Sequence, residues 1–539
     1  MSIFSKISVS KPKTSNFNLS EEVKLSCNFG QLIPILCKET LPGDKFKIST
    51  ELLIKLAPLK APVMHRLKAY IHYFYVPYYQ INKGFEKFIN PKVNEGSLCM
   101  PYLNSNDNIL PSGVFGIASL ADYLGLPITQ EPFTGGDKSV DFNIAPFVAY
   151  QHIYNSYYRD QNLELLPDEG GNIETTTLFD VKHYENLMGH SMAFTPYPKQ
   201  VENLFTLRNR AWKKDYFTSA LPSPQAGADV LIPMSFAADV QFNHLRSNLD
   251  SAAHTVYAQG TQGQNDVTLF STTNGIENEV VATANGANTT ATINDFRRAM
   301  ALQRFKELAE RGGTRMPEFV RNFFNVHVPD YMVDRPIYLG GQSTPISIGE
   351  VVQTSQTTLG SEGSAQGTRA GVGNAYGRVN GITLKCPLHG YIMGILSIRP
   401  EATYSQGIER MWTRKSVYDY AWPQFANIGE QEIYNKEIFC TGTDTDNQVF
   451  GYTPRYAEYK EGHCHVAGEF RPGQSLEYWH FGRKFDNQPN LNKEFVMMEQ
   501  MNYEPFNVID NEQEHVYVNL YNNITARRPL PYFGTPSII

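Results

Sequence analysis

Basic and aromatic residues are interleaved between positions 208 and 217, and this combination of side chains suits one kind of chemistry. The cluster comprises Arg208, Arg210, Trp212, Lys213 and Lys214, with two further aromatic residues close behind. Cationic groups can follow the phosphates of a single-stranded nucleic acid while flat rings stack on its bases. The pattern therefore predicts a nucleic-acid contact, and a solvated structural segment is the alternative that the residues leave open.

The patterns that mark enzymes and metal sites are missing or incomplete. The chain contains no G-x-S-x-G, no G-x-x-x-x-G-K-[ST] and no H-E-x-x-H. His463 and His465 flank Cys464, but on a strand the two histidines share a face while the cysteine points away, and no second ligand pair lies nearby. Asp444 and Asp446 resemble the start of a calcium loop without its glycine and closing glutamate, which favours a turn and leaves ion binding there open. The sequence predicts no catalytic residue, no metal site and no cofactor.

Length and composition favour a large protein that makes interfaces. With 539 residues the chain exceeds one ordinary core, so either two to four domains or one domain with very large insertions is expected. Aromatic residues make up 12% of the chain, which fits extended protein interfaces and equally a carbohydrate-binding surface. The net charge of −7 argues against a strongly basic nucleic-acid binder but allows a local basic patch.

Cysteine usage and hydropathy indicate a reducing compartment and no membrane insertion. The six cysteines form no C-x-x-C pair, so buried free thiols are expected rather than disulfides. No apolar run approaches the roughly 18 residues that span a bilayer. Residues 1–16 contain no apolar segment of a secretory signal.

The stretch from residue 44 to residue 77 contains the strongest secondary-structure signal. Alternate residues from Phe46 to Leu56 are mostly apolar, and the residues between them are mostly charged or polar. After a proline-rich interruption, alternation resumes from Leu67 to Tyr75. Period-two alternation predicts two long strands, each with a buried side and a wet side.

The middle of the chain has a different character. Residues 83–380 are predicted to form long loop insertions with helices, the clearest at 295–311 and a shorter one at 317–326. Within them, residues 225–290 are rich in Gly, Ala, Asn, Thr and Gln, which predicts a variable surface insertion. Basic residues between 297 and 321 are interpreted as a solvated helix face. Residues 354–381 are interpreted as a flexible loop, which accounts for their glycines better than a nucleotide site does.

Strand patterns return near the C-terminus. Residues 382–386 and 391–399 are predicted to pair as a hairpin, with further strands at 448–452, 463–470 and 516–521. Strands at both ends of the chain, separated by a long mixed interruption, are best explained by one β domain with a giant insertion. The predicted core comprises residues 21–82 and 381–539, preceded by a basic arm at residues 1–20.

Several segments resemble the major capsid protein of gokushoviruses, small single-stranded DNA phages of the microvirus family. The most specific block joins residues 25–37 (LSCNFGQLIPILC), 41–44 (LPGD) and 57–66 (APLKAPVMHR). Further matches are residues 336–341 (PIYLGG), 389–400 (HGYIMGILSIRP) and 527–531 (RRPLP). The likeness covers most of the chain outside residues 225–290.

The resemblance implies a mainly β fold: a single eight-stranded viral jelly roll, which is an antiparallel β-sandwich, with very long inserted loops containing short helices. It implies a structural subunit, not an enzyme, of which sixty copies form a T=1 icosahedral shell around circular single-stranded DNA. Residues 225–290 lie where the family carries a three-fold protrusion thought to meet a host surface receptor. Expected further partners are a small basic DNA-binding protein and a scaffolding protein. The expected location is the virion, assembled in the host bacterial cytoplasm.

The sequence offers candidate DNA contacts and one rival function. The contacts are the 208–214 cluster and three lysines of the N-terminal arm: Lys6, Lys11 and Lys13. The rival is a β-sandwich carbohydrate-binding or glycoside-hydrolysing protein that uses Trp412, Trp422 and Trp479 as stacking platforms.

Overall fold

The computed structural model describes residues 12–91, 99–130, 133, 135, 138–184, 197–230, 293–313, 315–355, 366–462, 464–508 and 513–533, and the backbone of four strands between 238 and 286. The strands are β1 Ser15–Asn18, β2 Glu21–Cys27, β3 Ile33–Thr40, β4 Lys45–Leu56, β5 Leu67–Pro77, β6 Tyr102–Asn104, β7 Asp141–Asn143, β8 Ala238–Phe242, β9 Val256–Gly260, β10 Val267–Ser271, β11 Ala282–Gly286, β12 Ile337–Val352, β13 Arg369–Lys385, β14 Gly390–Pro400, β15 Glu430–Tyr434, β16 Val449–Pro454 and β17 Val516–Arg528.

The α-helices of the described residues are α1 Tyr78–Ile81, α2 Phe85–Ile89, α3 Leu120–Tyr123, α4 Ala145–Ile153, α5 Val181–Tyr184, α6 Pro198–Phe205, α7 Ile293–Gly312, α8 Met316–Phe324, α9 Asn435–Ile438 and α10 Lys493–Val496. A π-helical turn, Tyr154–Tyr158, extends α4. Short 3-10 helices lie at Pro167–Glu169, Asp330–Val333, Arg410–Thr413, Val417–Asp419, Pro423–Phe425, Asp444–Asn447, Ala457–Tyr459, Gly468–Phe470 and Glu477–Trp479.

The long strands form an antiparallel sandwich with four strand positions in each sheet. In sheet one, β4 lies between β13 and β17. The other side of β17 pairs with β1 along one part of its length and with β2 along another, so these two short strands share the edge position. Sheet two has the order β12, β5, β14, β3. The two sheets join at one corner, where the end of β12 pairs with the start of β13. When β1 and β2 are taken as one strand position, successive strands of the sandwich change sheets except between β5 and β12, which gives the predicted eight-stranded jelly roll.

The core between the sheets follows the alternation that the sequence predicted. Phe46, Ile48, Leu52 and Ile54 of β4 are each at most 2% exposed, and Thr50 shares their buried face, while the residues that alternate with these five face outward. The inward residues of β5 and β17 belong to the same apolar cluster. One buried face and one wet face thus describe sheet one.

Sheet two differs because inserted helices cover its outer face. Phe74 of β5 and Met393 of β14 lie in a second buried cluster with Phe147, Tyr150 and Ile153 of α4 and its neighbours. This covering explains why nearly every residue of β14 is buried. The insertion therefore adds a helical layer to one side of the sandwich.

The predicted hairpin between residues 382–386 and 391–399 is wrong. Residues of β13 pair with β4 and β12, whereas β14 pairs with β3 and β5. Both segments are strands, but the chain crosses from sheet one to sheet two between them. The two strands are neighbours in the sequence, but they lie in different sheets and do not pair.

The interpretation of residues 354–381 as a flexible loop is wrong for its second half, because β13 begins at Arg369. Gly371 and Gly373 are required by close packing across the corner. A Cβ atom on Gly371 would lie 2.3 Å from the carbonyl oxygen of Ala61, and one on Gly373 would lie 2.3 Å from a methyl of Leu56. Glycine in a strand marks such a close approach as readily as it marks a loop. Strand β12 also lies in the segment that the sequence assigned to insertions.

Two predicted helices and a predicted turn are present in the structure, whereas one predicted strand is not. The helices at 295–311 and 317–326 are confirmed as α7 and α8. The turn at Asp444–Asn447 is confirmed as a 3-10 turn, in which Asp446 accepts backbone N–H groups of Thr441 and Gly442. Residues 464–470 form no extended strand and include a 3-10 helix, so the strand predicted there is wrong.

The chain divides into two compact units, Met1–Pro224 with Ala309–Ile539 and Gln225–Leu308. In the second unit, β8 pairs with β11 and β9 pairs with β10. All six cysteines are free, and of these Cys27 and Cys386 are fully buried. Among the described helices, none combines the length and apolar composition that a membrane crossing needs.

Candidate nucleic-acid interface

The predicted cluster at 208–214 begins as an extended segment fixed by backbone hydrogen bonds. The Leu32 N–H donates to the Arg208 carbonyl over 2.9 Å, and the Arg210 N–H donates to the Gly30 carbonyl over 2.7 Å. An extended backbone turns successive side chains to opposite sides. The basic and aromatic residues therefore do not form one surface, and each has its own surroundings.

Arg208 is an interior residue of the subunit. Its side chain donates from Nε to Gln151 over 2.7 Å, from Nη1 to the Thr177 carbonyl over 2.7 Å and from Nη2 to the Asn203 carbonyl over 3.0 Å. Only 4% of the residue is exposed. The guanidinium therefore joins α4, α6 and the loop between the π-turn and α5, and Arg208 is not available to contact DNA.

Trp212 is also buried, with 3% of its surface exposed. The guanidinium carbon of Arg483 lies 4.9 Å from its ring centroid, and the ring belongs to the core cluster between the sheets. A base cannot stack on a ring that is already covered. The aromatic residue that suggested nucleic-acid binding is therefore a packing residue.

Arg210 lies at the surface of sheet two beside a second arginine, Arg399 of β14. The two guanidinium carbons lie 4.3 Å and 5.0 Å from the ring centroid of Tyr70, and Arg210 Nη1 donates to the Ser397 hydroxyl over 2.8 Å. Among the described residues, neither guanidinium forms an ion pair with a carboxylate. Burial, followed by the nearby Arg399 charge, lowers the pKa of Arg210 to about 10. An anion between the two guanidinium groups would relieve their repulsion.

His72 contributes a ring to the same place and no charge at neutral pH. Its Nδ1 lies 2.7 Å from the Tyr158 hydroxyl. Burial, and then repulsion by Arg210 and Arg399, lowers the pKa of His72 to about 4. The imidazole is therefore neutral near pH 7, and the positive potential comes from the two arginines.

Lys213 and Lys214 extend this positive region towards solvent. Their side chains are 60% and 57% exposed. Lys214 Nζ lies 2.7 Å from Asp160, and Lys213 Nζ lies 3.5 Å from Glu401. The long Lys213–Glu401 pair contributes little stability, so this ammonium group can exchange partners at small cost. The Lys214 ammonium is held more firmly, because Asp160 is only 13% exposed and the Thr218 carbonyl accepts a second hydrogen bond over 3.1 Å.

Together these residues border a groove of about 520 Å³. It is lined by His72, Phe74, Tyr157, Tyr158, Arg159, Asp160, Arg210, Ala211, Trp212, Lys213, Lys214, Tyr338 and Arg399. Two uncompensated guanidinium groups can bind a phosphate, and Tyr338, which is 45% exposed, offers a ring beside them. We call this site the arginine–tyrosine groove.

The structure supplies residues that the sequence did not single out. Tyr70 and His72 come from β5, Arg399 from β14 and Tyr338 from β12. Their positions on the outward side of strands were readable from the alternation, but their meeting with residue 210 was not. Of the predicted arm residues, Lys13 is exposed, while Lys6 and Lys11 lie outside the described residues.

Comparison with known proteins identifies the class of protein. Residues 5–538 match the family model described as capsid protein (F protein). The chain belongs to this capsid protein family. The capsid protein VP1 of Bdellovibrio phage phiMH2K is 31% identical over 97% of this chain and 95% of the relative. The capsid protein VP1 of Chlamydia phage 1 is 30% identical over 99% and 97%, and that of Spiroplasma virus 4 is 29% identical over 97% and 95%.

As a capsid protein, the chain is a structural subunit of a shell, not an enzyme, and it is a component of the virion. The resemblance to gokushovirus capsid proteins is confirmed. The rival carbohydrate-active function receives no support from these relatives. Trp412 and Trp422 are 74% and 47% exposed, which also suits contacts between capsid subunits.

Proposed function

We propose that sixty copies of this capsid protein assemble into a T=1 icosahedral shell around circular single-stranded DNA. Membership of the capsid family carries the proposal. The exposed apolar side chains between β14 and β15 support it, since Met411, Trp412 and Tyr418 are 53%, 74% and 61% exposed. Large apolar side chains that are exposed close together in sequence are typical of interaction surfaces, and a shell subunit buries such side chains against other copies.

Electron microscopy of the chain expressed alone in bacteria tests the shell. We expect closed particles of uniform diameter whose reconstruction shows sixty copies in equivalent environments. Particles with a different number of copies would contradict T=1 symmetry while leaving the subunit role intact. A chain that stays monomeric at high concentration would contradict self-assembly from this subunit.

We further propose that the arginine–tyrosine groove contacts the packaged DNA through Arg210, Lys213, Lys214 and Arg399, with Lys6, Lys11 and Lys13 of the arm as additional contacts. The pair of guanidinium groups without a carboxylate supports this assignment. The net charge of −7 means that most of the DNA charge is neutralised by other components. A small basic DNA-binding protein is therefore an expected partner, as is a scaffolding protein during assembly in the host bacterial cytoplasm.

Binding of a labelled oligothymidylate to the purified subunit, measured by fluorescence anisotropy at several salt concentrations, tests the groove. We expect the Lys213→Gln/Lys214→Gln variant to bind more weakly, with a salt slope that is smaller by about 0.7 for each lysine that contacts a phosphate. Lys415→Gln/Lys460→Gln, which removes two exposed charges elsewhere, is the matched control. Equal weakening in both variants would contradict a specific contact at the groove.

Residues 225–290 are proposed to form the variable insertion that contacts a host surface receptor. Their polar composition, poor in aromatic residues, supports a surface role. Replacing them with a short Gly-Ser linker should leave shell assembly intact and abolish attachment of the particles to host cells. Attachment that survives the replacement would contradict the proposal.

A further inference from the structure

The outer face of sheet one carries a dense set of basic and aromatic side chains. No inserted helix of the described residues covers this face, and its outward residues alternate with buried ones along β4 and β17. The basic residues are Lys24, Lys45, Lys47, Lys55, Arg378, Lys385 and Arg527, and the exposed tyrosines are Tyr376, Tyr517 and Tyr521. We call this surface the tyrosine–lysine face.

Strand register brings the cations at one end of the face into adjacent positions. Lys45 of β4 lies opposite Arg527 of β17 on one side and Lys385 of β13 on the other. Neighbouring strands are about 4.8 Å apart, so three positive charges cross the sheet in one row. Lys47 adds a fourth charge two residues along β4. Among the described residues, none of these four side chains has a carboxylate within ion-pair distance.

The tyrosines occupy the other half of the same face. Tyr376, Tyr517 and Tyr521 are 72%, 48% and 44% exposed. Tyr517 lies opposite Lys55, so a ring and a cation are paired across the sheet. Tyr517 and Tyr521 are four residues apart on one strand, which separates their rings by about 13 Å along it. Flat rings standing on a sheet beside cations are suited to stacking with unpaired bases.

The charge of the face is opposite to that of the whole chain. Its seven basic side chains share the face with two carboxylates, Glu22 and Glu51, which pair with Lys24 and Arg378. The chain as a whole has a net charge of −7. Such segregation creates a local positive potential that attracts a polyanion.

We propose that the tyrosine–lysine face is a binding surface for single-stranded nucleic acid, with the lysine row holding phosphates and the tyrosines stacking on bases. In the virion this ligand is the packaged single-stranded DNA, so this role rests on the proposed function. A duplex fits the chemistry less well, since its bases are already stacked and unavailable to the rings. The face lies on the side of the sandwich opposite the arginine–tyrosine groove, so the two surfaces can be tested separately.

The test compares oligothymidylate binding to purified full-length subunits at several salt concentrations. We expect Lys45→Gln/Lys47→Gln/Lys385→Gln to weaken binding and to reduce the salt slope by about 0.7 for each phosphate that these lysines neutralise in the unaltered subunit. We expect Tyr376→Ala/Tyr517→Ala to weaken binding at least about fivefold with the salt slope unchanged, since stacking is not an ionic contact. All five side chains are exposed, and thermal unfolding checks that the variants keep the fold.

Two controls distinguish this surface from general charge and from the groove. Lys87→Gln/Lys415→Gln/Lys460→Gln removes three exposed lysines elsewhere and should bind almost as the unaltered subunit does. If the affinity of this control falls as far as that of the face variants, or if the face variants bind normally, the inference is overturned. If only the groove variant, Lys213→Gln/Lys214→Gln, loses binding, the arginine–tyrosine groove is the binding site and the inference about the tyrosine–lysine face is overturned. Shell formation, followed by electron microscopy of the same variants, reports on the proposed function independently.

A duplex competitor gives a further discriminating result. We expect unlabelled single-stranded DNA to displace the labelled strand at a lower concentration than duplex DNA of the same length and total charge. Equal displacement would show that charge alone is recognised and would overturn the role of the tyrosines.

Discussion

At the scale of single residues, one buried hydrogen-bond network connects the two sheets through the apolar core. The Thr50 hydroxyl of β4 donates to Asn522 Oδ1 of β17 over 2.7 Å and contacts the Tyr73 hydroxyl of β5. The Asn522 amide donates to the Ile35 carbonyl over 3.1 Å. Buried polar groups are tolerated when each has a partner, and here the partners come from both sheets.

Replacing Thr50 with Val should therefore destabilise the subunit. The change keeps the shape of the side chain and leaves the Asn522 and Tyr73 groups without this partner, so we expect a loss of about 1–3 kcal/mol in the free energy of unfolding. Urea unfolding of the subunit measures the loss. Thr383→Val, on the exposed side of β13, is the matched control and should change stability by less than about 0.5 kcal/mol. Equal effects would contradict a role for the network.

His72 gives the subunit a predictable dependence on pH. Its pKa is lowered to about 4 in the folded state from an ordinary value of 6.5, so between these values the unfolded state binds more protons. Stability should fall as the pH is lowered from 6.5 to about 4. The His72→Gln variant should lack this part of the pH dependence, as measured by unfolding at about pH 7 and about pH 5. An unchanged difference between the two pH values would rule out His72 as its source.

At the scale of elements, the corner where β12 meets β13 depends on glycine. A Cβ atom on Gly371 would lie 2.3 Å from the Ala61 carbonyl oxygen, whereas one on Gly349 would meet its nearest atom, the Val372 oxygen, at 3.8 Å. The first distance forces backbone to move, and the second is ordinary contact. The two glycines lie in paired strands of the same corner, so they form a matched comparison.

We expect Gly371→Ala to destabilise the subunit by about 1–3 kcal/mol, because the added methyl overpacks the corner. Gly349→Ala should change stability by less than about 0.5 kcal/mol. Thermal or urea unfolding of the two variants provides the comparison. Similar stability in both would show that the loop at residue 61 moves aside freely.

At the scale of the whole molecule, closure of sheet one depends on the last described strand of the chain. Strand β17 pairs with β4 along one side and with β1 and β2 along the other. Its inward residues Val516, Leu520 and Ile524 are fully buried. The two ends of the chain therefore meet in one hydrogen-bonded sheet.

Removing residues 516–539 should abolish the folded subunit, because β1 and β2 would lose their partner, β4 would lose one of its two partners and the core would open. Removing residues 1–12, which precede β1, should leave the subunit folded. Soluble yield and the far-ultraviolet circular dichroism spectrum measure both outcomes. A soluble, folded product without β17 would contradict the closed sandwich.

Local alternation in the sequence determined which side of β4, β5 and β17 faces the core, since a strand turns successive side chains to opposite faces whatever its partner. The N-terminal block determined the family. Partner choice was not determined, because sheet pairing joins residues hundreds of positions apart and depends on the packing of the complete sandwich. For this reason β13 and β14 were predicted to pair, and the glycines of β13 suggested a loop.

Only the tertiary structure decided which of the basic residues are accessible. Arg208 and Trp212 have the composition of a nucleic-acid contact but are interior, because α4 and the core close over them. The surroundings of Arg210 are set by Arg399 and Tyr70, which are distant in sequence and place a second guanidinium and an aromatic ring beside it. A sequence gives the charge and shape of each side chain, whereas its access to solvent and to other charges is set by the folded chain around it.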